Sequence, residues 1–242
     1  MNLDKINGII TLDVDWAPDF VIDYVSEKLE KNNIKATWFI THNSKSIKKL
    51  FSNPNFEVGI HPNFKNNSTQ GKNIDDILRN LKKIAPKSKS LRTHGLLQST
   101  EILLKFKKYG IKNDLSILMS NYEGLKPHYE KFLDLVRFPY YWEDDVEVTN
   151  KSEFTNVKKH LSKKGLKIFD FHPIHIYLNT EDLDRYEKIK NSLSKISKKE
   201  LDKHRNPDLG TEVFFDNLLN ELKKKKTYKI SEITKIMRIH EK

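Results

Sequence analysis

The sequence predicts an α/β fold, an incomplete (β/α)7 barrel that forms a single domain. Short apolar runs alternate with amphipathic segments along the 242 residues, which is typical of a parallel sheet covered by helices. Polar residues follow several of these runs, and in a barrel the carboxyl ends of the strands converge on one face. The turn after the first run, "DVDWAPD", contains no glycine, whereas a dinucleotide-binding sheet requires a Gly-rich turn there.

Seven apolar runs predict the strands, and seven are too few for a complete eight-stranded barrel. They are "GIITLDV" (8–14), "KATWFIT" (35–41), "FEVGIHP" (56–62), "SLRTHG" (90–95), "NDLSIL" (113–118), "LVRFPYY" (135–141) and "LKIFDFHPI" (166–174). The helices are predicted from apolar residues that share one helical face. Examples are Val21, Tyr24, Val25 and Leu29, then Ile74, Ile77, Leu78, Leu81 and Ile84, and later Phe215, Leu218, Leu219 and Leu222. No repeat or Pro/Gly linker divides the chain, so we expect one domain over residues 1–242.

The composition limits the possible partners. The chain carries 44 Lys and Arg against 33 Asp and Glu, a formal charge of +11, but the lysines are spread along it and no nucleic-acid-binding module is present. A solvated lysine-rich surface is therefore favoured over a basic nucleic-acid binder, whose affinity would fall steeply with salt. The absence of cysteine excludes disulfides and thiolate metal sites.

The first residues of the chain are the basis for predicting the cellular location of the protein. "MNLDKINGII" is acidic as well as basic with a short apolar run, which is unlike a signal peptide. No stretch approaches the roughly 18 apolar residues of a membrane span. We expect a cytoplasmic protein, with peripheral membrane association left open by the positive charge. The sequence does not indicate the oligomeric state.

Titratable residues lie at the carboxyl ends of four of the predicted strands. They are Asp13 and Asp15, then His61, then Arg92 and His94, and at the last strand Asp170, His172 and His175. Singly, each fits a helix cap or a structural hydrogen bond. Together they offer imidazole and carboxylate, the ligand set of Zn²⁺ or a similar divalent ion. Residues two apart on a strand face the same way, so we expect Asp13 with Asp15, and Arg92 with His94, to be co-facing.

This set predicts hydrolysis of an amide or ester. A divalent ion held by one carboxylate and two imidazoles keeps a position open for water, lowers the pKa of that water and polarises a carbonyl. A second carboxylate can then accept the proton, and a histidine opposite can protonate the leaving group.

Four motifs resemble those of a known family. "TLDVDW", "EVGIHPN", "RTHG" and "DFHPIHIYLN" occur in the order seen in polysaccharide deacetylases (NodB-homology domains, carbohydrate esterase family 4), particularly the divergent WbmS-like branch. The similarity runs from about Ile9 to Asn179. It implies a distorted seven-stranded (β/α) barrel and a metal-dependent enzyme that removes an acetyl group from an N-acetylated sugar or surface-glycan precursor.

The resemblance also implies roles for individual residues. Asp13 resembles the base, Asp15 and His61 the metal ligands, Arg92 the residue that orients the base, Gly95 the donor of an oxyanion N–H, and His172 the general acid, with Trp142 and Asp144 as support. The family's second metal-binding histidine is replaced by Lys65, which cannot be a ligand while protonated. We expect His94 to be the third ligand, with Asn63 as the weaker candidate.

Other expectations concern the surroundings of these residues. Asp170 shares a face with His172 and could hold its tautomer, while His175 fits a loop hydrogen bond at least as well as a ligand. Four aromatic residues are candidates for stacking on sugar rings; they are Trp16, Tyr140, Tyr141 and Trp142. Two alternatives remain open: a related barrel hydrolase of a non-sugar C–N bond, and a catalytically impaired member that binds glycans.

Overall fold

A single sheet contains all nine strands found in the computed structural model, which describes residues 6, 8–193 and 195–240 and the side chains up to residue 237. Most of the N-terminal residues that we interpret as unlike a signal peptide lie outside this range. The strands are β1 (Ile9–Asp13), β2 (Ala36–Ile40), β3 (Phe56–Ile60), β4 (Ser90–Leu91), β5 (Asn113–Leu118), β6 (His128–Glu130), β7 (Leu135–Tyr140), β8 (Trp142–Glu143) and β9 (Ile168–Phe171). All seven predicted strands are present, and β6 and β8 are short additions.

The sheet is an open barrel. Its order is β6-β7-β5-β4-β3-β2-β1-β9-β8, and every neighbouring pair is parallel except β6 with β7. Only Tyr141 separates β7 from β8. The N–H of Met119, after β5, donates to Tyr140 O, and the N–H of Tyr141 donates to Ile168 O in β9, both at 2.9 Å. One run of chain therefore spans the gap between the two sides of the barrel, which confirms the incomplete (β/α)7 prediction.

Helices cover the outside of the sheet. They are α1 (Asp19–Lys31), α2 (Lys45–Leu50), α3 (Ile74–Ile84), α4 (Thr100–Lys108), α5 (Asp144–Thr149), α6 (Val157–Ser162), α7 (Pro173–Leu178), α8 (Leu183–Glu187), α9 (Lys198–Asp202), α10 (Thr211–Leu222) and α11 (Ile230–His240). Side-chain caps begin several of them: Ser44, Asn73 and Ser99 each accept the N–H three residues later. Within the described residues, no helix is long and apolar enough to cross a membrane.

The two faces of the strands form separate cores, as strand alternation requires. Ile10 and Leu12 pack outward against the helices. Ile9 and Ile168 belong to an inner core that includes Ile230 of α11. The N–H of Ile230 donates to Thr37 Oγ1 at 3.1 Å, near the start of β2. Helix α11 therefore closes the amino end of the barrel, and the carboxyl end is left for the polar residues.

Trp142 should be a strong contributor to stability. Its side chain is 1 % exposed and stacks on Phe214 of α10, with ring centroids 4.6 Å apart. We expect Trp142→Ala to lower the free energy of unfolding by about 3–5 kcal/mol because it leaves a large cavity. Phe132→Ala is the control: Phe132 is 66 % exposed, and its loss should cost less than about 0.5 kcal/mol. Similar losses for both variants in denaturant titrations would contradict this account of the core.

Candidate functional site

The acidic pair after β1 is positioned by a turn. Asp13 is the last residue of β1, and Asp15 and Trp16 have positive φ values of 42° and 56°. The N–H of Ala17 donates to Val14 O at 2.9 Å, and the N–H of Trp16 donates to Thr41 Oγ1 at 3.1 Å. Strand alternation, which the sequence analysis gave as the reason for placing Asp13 and Asp15 on one side, is therefore the wrong reason, because Asp15 lies beyond the end of β1. The turn, in a conformation that non-glycine residues rarely adopt, brings Asp15 to the same histidine as Asp13.

Asp15, His61 and His94 form a group that could hold a metal ion. Asp15 Oδ1 lies 3.1 Å from His61 Nε2 and 3.2 Å from His94 Nδ1, and one potential ligand atom from each residue lies within 4.8 Å of the other two. Two ligands bound at about 2.1 Å in tetrahedral geometry are about 3.4 Å apart, so the spacing fits a zinc-like ion. Although burial alone would raise it, the pKa of Asp15 is well below its usual value because of its hydrogen bonds to the two histidines.

The two histidines follow adjacent strands, β3 and β4. The N–H of His61, directly after β3, donates to Ile40 O at 2.8 Å. Strand β4 ends at Leu91, so His94 lies beyond it in a short turn and not on the strand that the sequence predicts. The N–H of His94 donates to Pro62 O at 2.9 Å, and the imidazole rings of His61 and His94 meet edge to face at 5.4 Å. The backbone after β3 thus places His94.

The alternative third ligand is Asn63. Asn63 Oδ1 accepts the N–H of Lys65 at 3.0 Å, so the Asn63 side chain is engaged in its own loop. Lys65 is exposed and lies against Gly95, where a Cβ would be 2.8 Å from its Nζ. Of the candidates, His94 is the one that the structure brings to Asp15.

Arg92 is buried among carboxylates inside the barrel. Its Nη1 donates to Asp13 Oδ1 at 2.9 Å and also to Asp170 Oδ1. Its Nη2 donates to Thr11 Oγ1 at 2.9 Å, a partner that the sequence analysis missed although Thr11 lies two residues before Asp13 on the same strand face. Burial opposes the charge on Arg92, but Asp13 and Asp170 raise its pKa above the ordinary value.

Asp144, and not Asp170, holds His172. Asp170 is bound to Arg92 and accepts the hydroxyl of Thr11 at 2.7 Å, so the expectation that it fixes the His172 tautomer is wrong. Asp144 Oδ1 lies 2.7 Å from His172 Nδ1, and its Oδ2 accepts the backbone N–H of His172 at 2.7 Å. Burial disfavours the imidazolium, yet the charges of Asp145 and Asp144 raise the pKa of His172 well above its usual value. The Nε2 atom is 3.8 Å from Asp15 Oδ2.

His175 belongs to helix α7 and makes structural contacts. Its Nδ1 lies 3.0 Å from Thr180 Oγ1, and its Nε2 lies 2.8 Å from Asp145 Oδ1. Asp145, His172 and His175 form a second group of potential ligands, and Asp13, Asp170 and His172 a third. In the second group Asp144 lies against His172 Nδ1, and in the third Arg92 binds Oδ1 of both carboxylates. The group around Asp15 is the one made up of the three residues that the sequence analysis expects as ligands.

Three of the four aromatic candidates for sugar stacking are unavailable to a ligand. Tyr140, Tyr141 and Trp142 are 0 %, 2 % and 1 % exposed and pack in the core, so their stacking role is a wrong prediction. Trp16 is half-buried and meets His94 edge to face, with centroids 5.5 Å apart. Only Trp16 of this set borders the site.

Comparison with known proteins identifies the family of this chain. The family model of WbmS-like polysaccharide deacetylases matches residues 10–190. A candidate polysaccharide deacetylase of O-antigen biosynthesis from Bordetella bronchiseptica is 34% identical, with a TM-score of 0.83 over 90% of this chain and 91% of that one. No curated protein sequence matches the chain.

More distant structures share the fold. A candidate polysaccharide deacetylase from Mycobacterium smegmatis is 11% identical, with a TM-score of 0.62 over 98% of this chain and 92% of that one. A family 4 acetyl xylan esterase from Clostridium thermocellum, solved with a cobalt ion, is 14% identical, with a TM-score of 0.50 over 95% and 90% of the two chains. From the family match and the Bordetella relative, the chain belongs to the WbmS-like polysaccharide deacetylases.

Proposed function

We propose that this protein is a metal-dependent deacetylase that removes an acetyl group from an N-acetylated sugar of a surface-glycan precursor. The observation that carries the proposal is the pair of candidate proton-transfer groups beside Asp15. Asp13 Oδ2 lies 3.5 Å from His61, a neighbour of Asp15, and His172 Nε2 lies 3.8 Å from Asp15 Oδ2. A base and an acid next to one possible metal site suit amide hydrolysis.

Asp15, His61 and His94 would hold Zn²⁺ or a similar divalent ion. Such an ion would acidify a water molecule and polarise the acetyl carbonyl when bound. The exposed Gly95, which follows His94 directly, would offer its N–H to the oxygen that becomes negative.

Asp13 acts as the base in this proposal. Arg92 engages its Oδ1 atom and leaves Oδ2 to accept a proton from the attacking water. The water oxygen forms a bond to the acetyl carbon as this proton moves. Because Arg92 is itself fixed by Thr11 and Asp170, the carboxylate of Asp13 is held in one orientation.

His172 acts as the acid. Asp144 holds its Nδ1, so the proton on Nε2 faces the site. When the C–N bond breaks, its electron pair stays on nitrogen, and His172 donates the proton that completes the amine. The second product is acetate.

The substrate class rests on the family and on the Bordetella relative, which is described as part of O-antigen biosynthesis. We place the reaction in the cytoplasm, on a glycan precursor, with residues 1–242 as one catalytic domain and no nucleic-acid partner. Hydrolysis of a non-sugar amide and binding without catalysis are the competing outcomes of the experiments below.

The metal site can be tested by elemental analysis of the purified protein. We expect about one divalent ion per chain in the wild type, as in mononuclear zinc hydrolases, and near-complete loss in His61→Ala and His94→Ala. His128→Ala is the matched control, because His128 is exposed on β6 away from this group. Retention of metal in His94→Ala would remove His94 from the ligand set.

The base can be tested with Asp13→Asn, which keeps an oxygen for Arg92 but cannot accept the proton. We expect kcat for acetate release from N-acetylated sugars to fall by about 10²–10⁴-fold, with metal content unchanged. The wild type should act on these sugars and not on small non-sugar amides. Activity confined to the non-sugar amides would support the alternative hydrolase, and stoichiometric metal without any activity would support a binding protein.

The acid can be tested through the pH profile. Protonated His172 is the active form, so activity should be lost as pH rises through its pKa. Asp144→Asn removes a negative charge that raises this pKa, and we expect the alkaline limb of kcat to move to lower pH. A lower kcat with an unmoved limb would show that Asp144 only supports the structure.

A further inference from the structure

A groove of about 550 Å³ is lined by Lys65, a residue that also lies against Gly95, the neighbour of His94. It is formed by the loop that follows β3 together with helices α3 and α4. Its lining includes Phe64, Lys65, Asn67, Lys72, Glu101 and Lys105. None of these residues takes part in the proton transfers proposed above.

Lys65 connects this groove to the site. Its side chain lines the groove, and its Cε and Nζ atoms lie 2.8 Å from the position that a Cβ on Gly95 would take. Gly95 directly follows His94 and has a φ of +62°, so glycine suits both its conformation and the contact with Lys65. A ligand that extends from the site past Gly95 would meet the Lys65 ammonium.

The charges of the groove leave two ammonium groups without a carboxylate. The carboxylate of Asp75 forms ion pairs with Lys105 at 2.5 Å and with Lys108 at 2.7 Å, so its negative charge is already compensated. In the part of the chain that the structure describes, no carboxylate lies within 4.0 Å of Lys65 or Lys72. Glu101 is the remaining acidic side chain of the lining. The groove therefore suits a ligand that carries negative charge at its Lys65 end.

The rest of the lining suits a sugar. Phe64 packs against Phe106 with nearly parallel rings, 6.4 Å between centroids, which gives the groove an apolar wall. Asn66 and Asn67 are exposed in the same lining and can exchange hydrogen bonds with hydroxyl groups. An apolar wall with a few polar groups is typical of sites for small ligands.

We propose that this groove is a substrate subsite and that Lys65 binds an anionic group, a phosphate or a carboxylate, of the N-acetylated glycan precursor. The proposal rests on the proposed deacetylase function and specifies its substrate class. Lys65 thereby determines specificity without taking part in the proton transfers.

The test compares binding of three ligands by titration calorimetry, with acetate release measured on the same preparations. The ligands are N-acetylglucosamine, its 1-phosphate, and an N-acetylated amino sugar with a carboxylate. A hydrogen bond between charged groups is worth about 1.5–3 kcal/mol, so we expect one anionic sugar to bind at least about tenfold more tightly than the neutral one. The anionic sugar that binds more tightly than the neutral one shows whether the group bound is a phosphate or a carboxylate.

Variants assign this preference to Lys65. Lys65→Gln should remove it and Lys65→Arg should keep most of it. Lys83→Gln, an equal change of charge at an exposed position in the last turn of α3, should leave it intact. Equal binding of all three ligands by the wild type, or equal losses in Lys65→Gln and Lys83→Gln, would overturn the subsite.

The two proposals fail in different ways. A preference for anionic sugars that depends on Lys65, without acetate release from any sugar, would keep the subsite and reject the deacetylase function. Acetate release that is equal for neutral and anionic sugars and unaffected by Lys65→Gln would keep the deacetylase function and reject the subsite.

Discussion

A buried guanidinium connects most of the barrel. Arg92 is fully buried and donates to Asp13 and Thr11 of β1, to Asp170 of β9 and to the carbonyl of Leu115 in β5. Removing one partner of such a buried pair typically costs about 3–5 kcal/mol, because the other charge is left unpaired. Two carboxylates face one cation here. Burial raises the pKa of Asp170 well above its usual value, although the charge of Arg92 opposes this shift. The same contacts that stabilise the interior also fix the orientation of the proposed base, Asp13.

The barrel interior is divided into two layers, an apolar layer at the amino end and a polar layer at the carboxyl end. The amino end is filled by apolar side chains and closed by α11. His61 lies between the two polar groups of the carboxyl end, 3.5 Å from Asp13 and 3.1 Å from Asp15. Burial opposes its protonation, but these two carboxylates raise the pKa of His61 above its usual value. His61 therefore links the proposed base to the proposed metal ligand Asp15.

Much of the fold could be predicted from alternation and strand ends, but several partners could not. Asp13 and Arg92 were predictable because both lie at the carboxyl ends of strands, which meet on one face of the barrel. The contact between Asp144 and His172 was not predictable from local patterns, although the family resemblance marks Asp144 as a supporting residue. It depends on the pairing of β8 with β9, which sets Trp142 beside Phe169, and no local pattern marks that register. The burial of Tyr141 and Trp142 was likewise not predictable from the sequence. A run of aromatic residues is compatible with the rim of a binding site as well as with a core. Here the packing of α10 against Trp142 places the run in the core.

The exchange of a histidine for Lys65 links the proposed ligand set to the proposed subsite. A ligand at position 65 would tie the loop after β3 to the ion. In the proposed site the second imidazole comes from His94. The loop is fixed instead through its backbone, by the hydrogen bond from His94 N–H to Pro62 O and by Gln70, whose side chain donates to His61 O at 3.0 Å. Those bonds hold the loop without using the side chain at position 65. That side chain is therefore free to face a ligand, and a lysine there adds a positive charge next to the proposed reacting centre.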